Sequence, residues 1–152
     1  MAAFFCDSSA IVKRYIVETG STWLSATTDP KNNRVYVARI TFVEVISAVS
    51  RRKKGKHLST TDADNARLQS EQDYLNEFQK VEISENLIVE AANLAKKYAL
   101  RGYDAVQLAT ALETEKERFA VGLPPLTLLS ADTDLNAAAV SEGLTVDNSN
   151  NH

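Results

Sequence analysis

Apolar and polar positions fall into blocks along this chain, and the blocks switch between strand-like and helix-like periods. Ala3 to Cys6 is a short apolar run, which suits a buried strand. Ser8 to Glu18 then sets Ile11, Val12, Tyr15 and Ile16 at helical spacing, with Gly20 as a stop. A short helix around Trp23 and Leu24 ends before Pro30, inside the turn cluster Asp29-Pro30-Lys31-Asn32-Asn33. Val35 to Ala38 reads as a second strand. Thr41 to Arg52 is a helix with Phe42, Val45, Ile46 and Val49 on one face. A basic connector, Arg51 to His57, leads to a long helix from Ser59 to Phe78. Its thin stripe of Leu68, Leu75 and Phe78 permits burial on one side only.

The second half repeats the alternation. Lys80 to Ile83 is a short strand, Ser84 to Ala99 an amphipathic helix, and Gly102 a punctuation point. Asp104 to about Arg118 is a further helix with Ala105, Leu108, Ala109 and Leu112 inward. After Pro124-Pro125, Leu126 to Leu129 is almost continuously apolar, as a strand covered on both faces must be. Asp134 to Glu142 is a short helix, and Leu144 to Val146 a last strand. Strands alternating with helices predict an α/β fold with a parallel sheet flanked by helices. The expectation is one domain over residues 1–147, with a polar tail at 148–152 that frays.

Composition narrows the picture only slightly. At 152 residues, 44% apolar and 24% charged, the chain has the makings of one globular core. A net charge of −3 argues against a surface that is basic throughout. It leaves room for a local basic stripe, or a bound metal, to meet phosphate. The single cysteine, Cys6, can build neither a disulfide framework nor a zinc cluster. No leader pattern and no run of about 20 apolar residues is present, so the cytosol is expected and a membrane is not.

Four acids stand out, each with an ordinary alternative. Asp7 follows the first strand and can N-cap the next helix. Glu44, in Thr41-Phe42-Val43-Glu44, fits a capping box with Thr41. Asp104 can cap its helix with Gln107 in the box position, and Asp132 can cap the last one. Asp7, Glu44 and Asp132 nonetheless each follow a strand closely, and a parallel sheet brings those ends to one edge, where ligands of open α/β sheets bind. Two carboxylates ~4 Å apart repel by about 4 kcal/mol at an effective dielectric near 20. Such a cluster requires a cation or a protonated member. With no His or Cys nearby, the donors favour Mg²⁺ or Mn²⁺. Ser9 and Ser130 lie two residues from Asp7 and Asp132 and can support them; Asp134 is a spare acid. Lys13, Arg14, Arg51, Arg52, Lys53 and Lys54 are candidate RNA-phosphate contacts, or simply solvated charge. No Gly-rich phosphate loop supports a phosphoryl-transfer reading.

In four blocks the sequence resembles the PIN-domain family, and within it the VapC-type toxins of toxin–antitoxin pairs. The blocks are Asp7-Ser8-Ser9-Ala10-Ile11-Val12-Lys13, Thr41-Phe42-Val43-Glu44-Val45, Tyr103-Asp104-Ala105-Val106-Gln107-Leu108-Ala109-Thr110-Ala111 and Leu129-Ser130-Ala131-Asp132. They occur in the family's order across nearly the whole chain. The resemblance implies a five-stranded parallel sheet in a PIN-like fold and an endoribonuclease using one or two Mg²⁺ or Mn²⁺ ions. It matches Asp7, Glu44, Asp104 and Asp132 to the family's acidic positions, and it alone assigns Asp104 to the cluster. Asp134 competes with Asp132 for the fourth place. The resemblance further implies products with a 5′-phosphate and a 3′-hydroxyl, a homodimer, and a cognate antitoxin gripping the Thr41–Phe78 region, often with an Arg among the acids. The alternatives are a PIN nuclease that is not a toxin, or a silent RNA- or protein-binding relative, whose partner binding would survive loss of the acids.

Overall fold

Five strands form one parallel sheet in the order β3-β2-β1-β4-β5, in a computed structural model that describes all 152 residues. The strands are β1 (Ala3–Cys6), β2 (Arg34–Ala38), β3 (Gln79–Val81), β4 (Thr127–Leu129) and β5 (Thr145–Asp147). The helices are α1 (Ser8–Ile11), α2 (Ser21–Thr27), α3 (Arg39–Lys54), α4 (Thr60–Asn76), α5 (Glu85–Tyr98), α6 (Gly102–Ala120) and α7 (Thr133–Ser141). The expected α/β architecture with a five-stranded parallel sheet is therefore the one observed.

Strand alternation divides the core. Phe5 and Leu128, paired in register, face a cluster built with Leu87, Leu94, Leu108 and Leu135 from α5, α6 and α7. Cys6 and Leu129 point the other way, with Val35 and Val37, and meet Ile11, Leu24, Val45 and Phe78. Successive strand residues face opposite sides, so each strand feeds both layers. Burial raises the Cys6 thiol well above its usual range, and neighbouring Asp7 adds to the effect. It is a packing residue.

The helices differ from the pattern at several points, each with a local cause. The helix expected over Ser8–Glu18 stops at Ile11 and gives way to a 3-10 turn over Val12–Arg14. The Ser21 hydroxyl accepts from Glu18 N–H and donates to the Ile16 carbonyl, so this backbone is satisfied without a helix. α3 starts at Arg39, two residues before Thr41, and runs to Lys54, so Arg51 to Lys54 form its last turn rather than a connector. α4 hides Ala63, Ala66, Ser70 and Asp73, whereas Leu68 and Leu75 of the expected stripe are 53% and 66% exposed. Ala63 and Ala66 pack with Val12, Ile16 and Val49, and Asp73 is tied to the preceding segment, receiving Tyr15 Oη at 2.8 Å and the Arg14 guanidinium at 3.3 Å. α5 ends not at a glycine but at Ala99, which takes the left-handed conformation (φ 54°).

The final residues do not fray. Ser149–Asn151 form a 3-10 turn with Ser149 buried, and the His152 ring stacks on Trp23 at 3.8 Å. Asn150 Oδ1 accepts from Lys13 Nζ at 2.6 Å. No helix is long and apolar enough to cross a membrane.

A carboxylate cleft at the carboxyl edge of the sheet

β1 and β4 lie side by side, with Cys6 opposite Leu129, so the residues leaving them emerge together. Asp7 and the Ser130–Asp132 turn are thus neighbours for reasons of register alone. Asp7 caps α1, accepting from Ala10 N–H at 3.0 Å, and also accepts from the Ser9 hydroxyl at 2.7 Å and the Ser130 hydroxyl at 2.9 Å. Ser9 and Ser130 in turn accept from the backbone N–H groups of Ala131 and Asp132 at 2.9 and 3.0 Å. The two serines tie the β1 and β4 exits together and aim the Asp7 carboxyl.

Asp132 caps α7, its Oδ1 accepting from Leu135 N–H at 2.9 Å. The capping readings of Asp7 and Asp132 are therefore both true, and each leaves the carboxyl at the cleft. Glu44 and Asp104 do not cap. With α3 beginning at Arg39, Glu44 lies more than a turn inside the helix. Its Oε2 accepts from Ser8 Oγ at 3.0 Å and its Oε1 from Gln107 Nε2 at 2.8 Å. Asp104 is in the first turn of α6, after Arg101 at the cap position. Both therefore owe their placement to the tertiary structure.

All four acids line one cleft, together with Ser8, Ser9, Arg51, Arg101 and Tyr103. Asp134 does not line it; that exposed acid faces an adjoining cleft with Tyr98 and Ser141. Burial pushes the Asp7 carboxyl up to about 7, against the lowering effect of its three hydrogen bonds, and the Asp104 charge pushes the same way. Asp104 is raised first by burial and next by Asp132, while Arg101 draws it back. In both groups burial is the larger cause, and a neighbouring carboxylate adds to it.

The donor set is carboxylate and hydroxyl oxygen without imidazole or thiolate, which fits a hard divalent ion such as Mg²⁺ or Mn²⁺. As the side chains stand, no three of the acids are gathered tightly enough to surround an ion. The Arg101 guanidinium bridges two of them, Asp104 Oδ2 at 3.3 Å and Asp132 Oδ2 at 3.1 Å.

The candidate basic residues separate sharply. Lys13 is buried, its amine held by the Thr19 carbonyl, Asn150 and Glu18. Arg14 is spent on Asp73 and on the Thr28 carbonyl and hydroxyl, and Arg52 on Glu18 at 2.9 Å. Neither Lys13 nor Arg14 is free to meet phosphate. Arg51, Lys53 and Lys54 are exposed, and Arg51 borders the acid cleft. Two participants carried no functional reading in the sequence. Gln107 looked like a capping-box partner, yet it is buried and its Nε2 bridges Glu44 and Thr41 Oγ1, the latter at 2.9 Å. Arg101 was silent; its one signal is an arginine three residues before a helical acid.

Comparison with known proteins adds an independent line. The family model of the PIN domain matches residues 4–141. Two curated proteins of Mycobacterium tuberculosis strains, Ribonuclease VapC45 and Ribonuclease VapC49, are each 32% identical over 146 residues, covering 96% of this chain and 95% of their own. Among solved structures, FitAcB from Neisseria gonorrhoeae is similar with a TM-score of 0.65 at 18% identity, over 96% of this chain and 97% of that one. VapC20 of M. tuberculosis, described as a Sarcin-Ricin loop cleaving toxin, has a TM-score of 0.63 at 15% identity, over 89% and 94% of the two chains. The structural likenesses bear on the fold, and the sequence likeness runs almost end to end. The chain belongs to the PIN-domain family.

Proposed function

We propose that this protein is a divalent-metal-dependent endoribonuclease and the toxin of a toxin–antitoxin pair. The observation that carries the reading is the convergence of Asp7, Glu44, Asp104 and Asp132 on one cleft at the carboxyl edge of the sheet. The near full-length likeness to proteins named ribonucleases supports the reaction class. Asp7 and Asp104 would hold Mg²⁺ or Mn²⁺ directly, and Asp132 would complete the set. One or two such ions supply charge neutralisation at the phosphate and a water of lowered pKa.

The chain's own groups do the remaining work. Glu44, fixed through both oxygens by Ser8 and Gln107, orients the attacking water and takes its proton. Ser9 and Ser130 keep Asp7 aimed at the cleft. Arg51 at the rim, with the exposed Lys53 and Lys54 in the same helical turn, holds the RNA backbone beside the cleft. An antitoxin is the expected partner: likenesses include VapBC2 of Rickettsia felis, solved bound to promoter DNA. Val43 of α3 and Leu68 and Leu75 of α4 are exposed apolar side chains that such a protein would cover. A homodimer acting in the cytoplasm completes the reading.

The test is cleavage of single-stranded and structured RNA with Mg²⁺ or Mn²⁺ by the wild type, Asp7→Asn and Asp104→Asn. Loss of at least about 100-fold in rate is expected in both variants, as for removal of a group that acts directly in the chemistry. Cleavage at the wild-type rate by both would remove the site assignment.

A further inference from the structure

Arg101 occupies the last position of the link between α5 and α6, with extended backbone (φ −61°, ψ 150°). Its side chain is 67% exposed and lies between the acid cleft and the adjoining cleft of Asp134. The guanidinium stands 5.4 Å over the Tyr103 ring, which steadies it without enclosing it.

The oxygens it holds are what matter. Asp132 spends Oδ1 on the N-cap of α7, so Oδ2 is the oxygen left for the cleft, and Arg101 occupies it at 3.1 Å. On Asp104 it again takes Oδ2, at 3.3 Å. A metal ion held by the cleft-facing oxygen of Asp132 and by the same oxygen of Asp104 would be in the guanidinium's place. Two positive groups cannot share those atoms at contact distance. The arginine fork spans two carboxylates from separate segments, which a point-like ammonium does less well. Exposed ion pairs are individually weak, so an ion of higher charge can open this one.

We propose that Arg101 is an internal latch: it competes with the divalent ion for Asp104 Oδ2 and Asp132 Oδ2, swings toward the Asp134 cleft when the ion enters, and so sets the metal concentration at which the cleft fills. The proposal rests on the acids being a metal site.

The test is a direct binding measurement, with no cleavage step. Protein stripped with EDTA and desalted is titrated with MnCl₂, free Mn²⁺ being followed by electron paramagnetic resonance. Arg101→Gln, Arg101→Lys and Arg51→Gln are compared with the wild type. Arg101 is exposed, and thermal unfolding of each variant verifies folding. The latch predicts that Arg101→Gln tightens Mn²⁺ binding about three- to tenfold, roughly 0.7–1.4 kcal/mol. Arg101→Lys tightens it too, although no charge is lost, and Arg51→Gln, which removes equal charge from the same rim, has a smaller effect. Wild-type affinity in Arg101→Lys, together with equal effects of Arg101→Gln and Arg51→Gln, would reduce the phenomenon to bulk electrostatics and overturn the latch. Absence of Mn²⁺ binding in the wild type and every variant at millimolar metal would instead overturn the metal-site reading, and the latch with it.

Discussion

At the scale of single residues, Asp7 is in tension with its surroundings. It sits where β1 leaves the core, almost wholly buried, and its carboxyl is pushed up to about 7 mainly by that burial. In the unfolded chain an aspartate titrates near 4. Between about pH 4 and 7 the native state therefore binds more protons than the unfolded state, and stability falls as pH rises through this window. Above about pH 7 the penalty is fully present. A shift of roughly three units corresponds to an upper bound of about 4 kcal/mol. Asp7→Asn keeps an acceptor for Ser9 and Ala10 but loses part of the Ser130 bond, so a net gain of about 1–3 kcal/mol is expected at pH 8 in EDTA. Its thermal midpoint should exceed that of the wild type at pH 8, and the gap should narrow toward pH 5. Saturating Mn²⁺ should favour the wild type. A variant no more stable than the wild type at pH 8 in EDTA would show that Asp7 is not held against its own charge.

At the scale of elements, the succession of strands and helices was legible because each depends on a short-range period that burial enforces. What depends on contact between distant segments was not. The Thr41–Glu44 capping box is present as a pattern, but α3 begins at Arg39 and leaves Glu44 to Ser8 and Gln107. Asp104 reached the acid edge only by family resemblance, since α5 rather than a strand precedes α6. Lys13 looked solvent-facing because its partners at Thr19 and Asn150 lie in segments that no local pattern links to it. The docked tail supplies a test of this last point. Gly20, at φ 85°, precedes α2, and a Cβ there would fall 1.9 Å from the Ser149 carbonyl oxygen. Gly20→Ala combines a disfavoured backbone conformation with that clash and should cost about 2–4 kcal/mol. Deleting residues 148–152 in the Gly20→Ala background should recover part of the loss, as chemical denaturation can measure. A fully additive double variant would mean that the tail contact is incidental.

At the scale of the whole molecule, the sheet order settles which charges can act together. With β1 central and β4 beside it, the acids from β1 and β4 meet those carried on α3 and α6, and the cleft is negative in a protein of net charge −3. The proposed nuclease therefore needs a local basic feature to draw RNA, and the last turn of α3 offers one. Arg51, Lys53 and Lys54 are exposed there, near the helix carboxyl end that favours cations, and Arg51 reaches the cleft rim. Each phosphate neutralised on a single strand adds a slope of about −0.7 to log affinity against log salt. Replacing both Lys53 and Lys54 by Gln should flatten that slope by roughly 1–1.4 and weaken RNA binding at low salt, whatever the RNA sequence. Binding is best measured in Ca²⁺ or with Asp104→Asn, so that cleavage does not consume the probe. The same change should leave Mn²⁺ affinity near the wild-type value, because Lys53 and Lys54 are exposed and do not line the acid cleft, and salt screens exposed charges. An unchanged salt slope would move the RNA path off α3 and onto another face of the cleft.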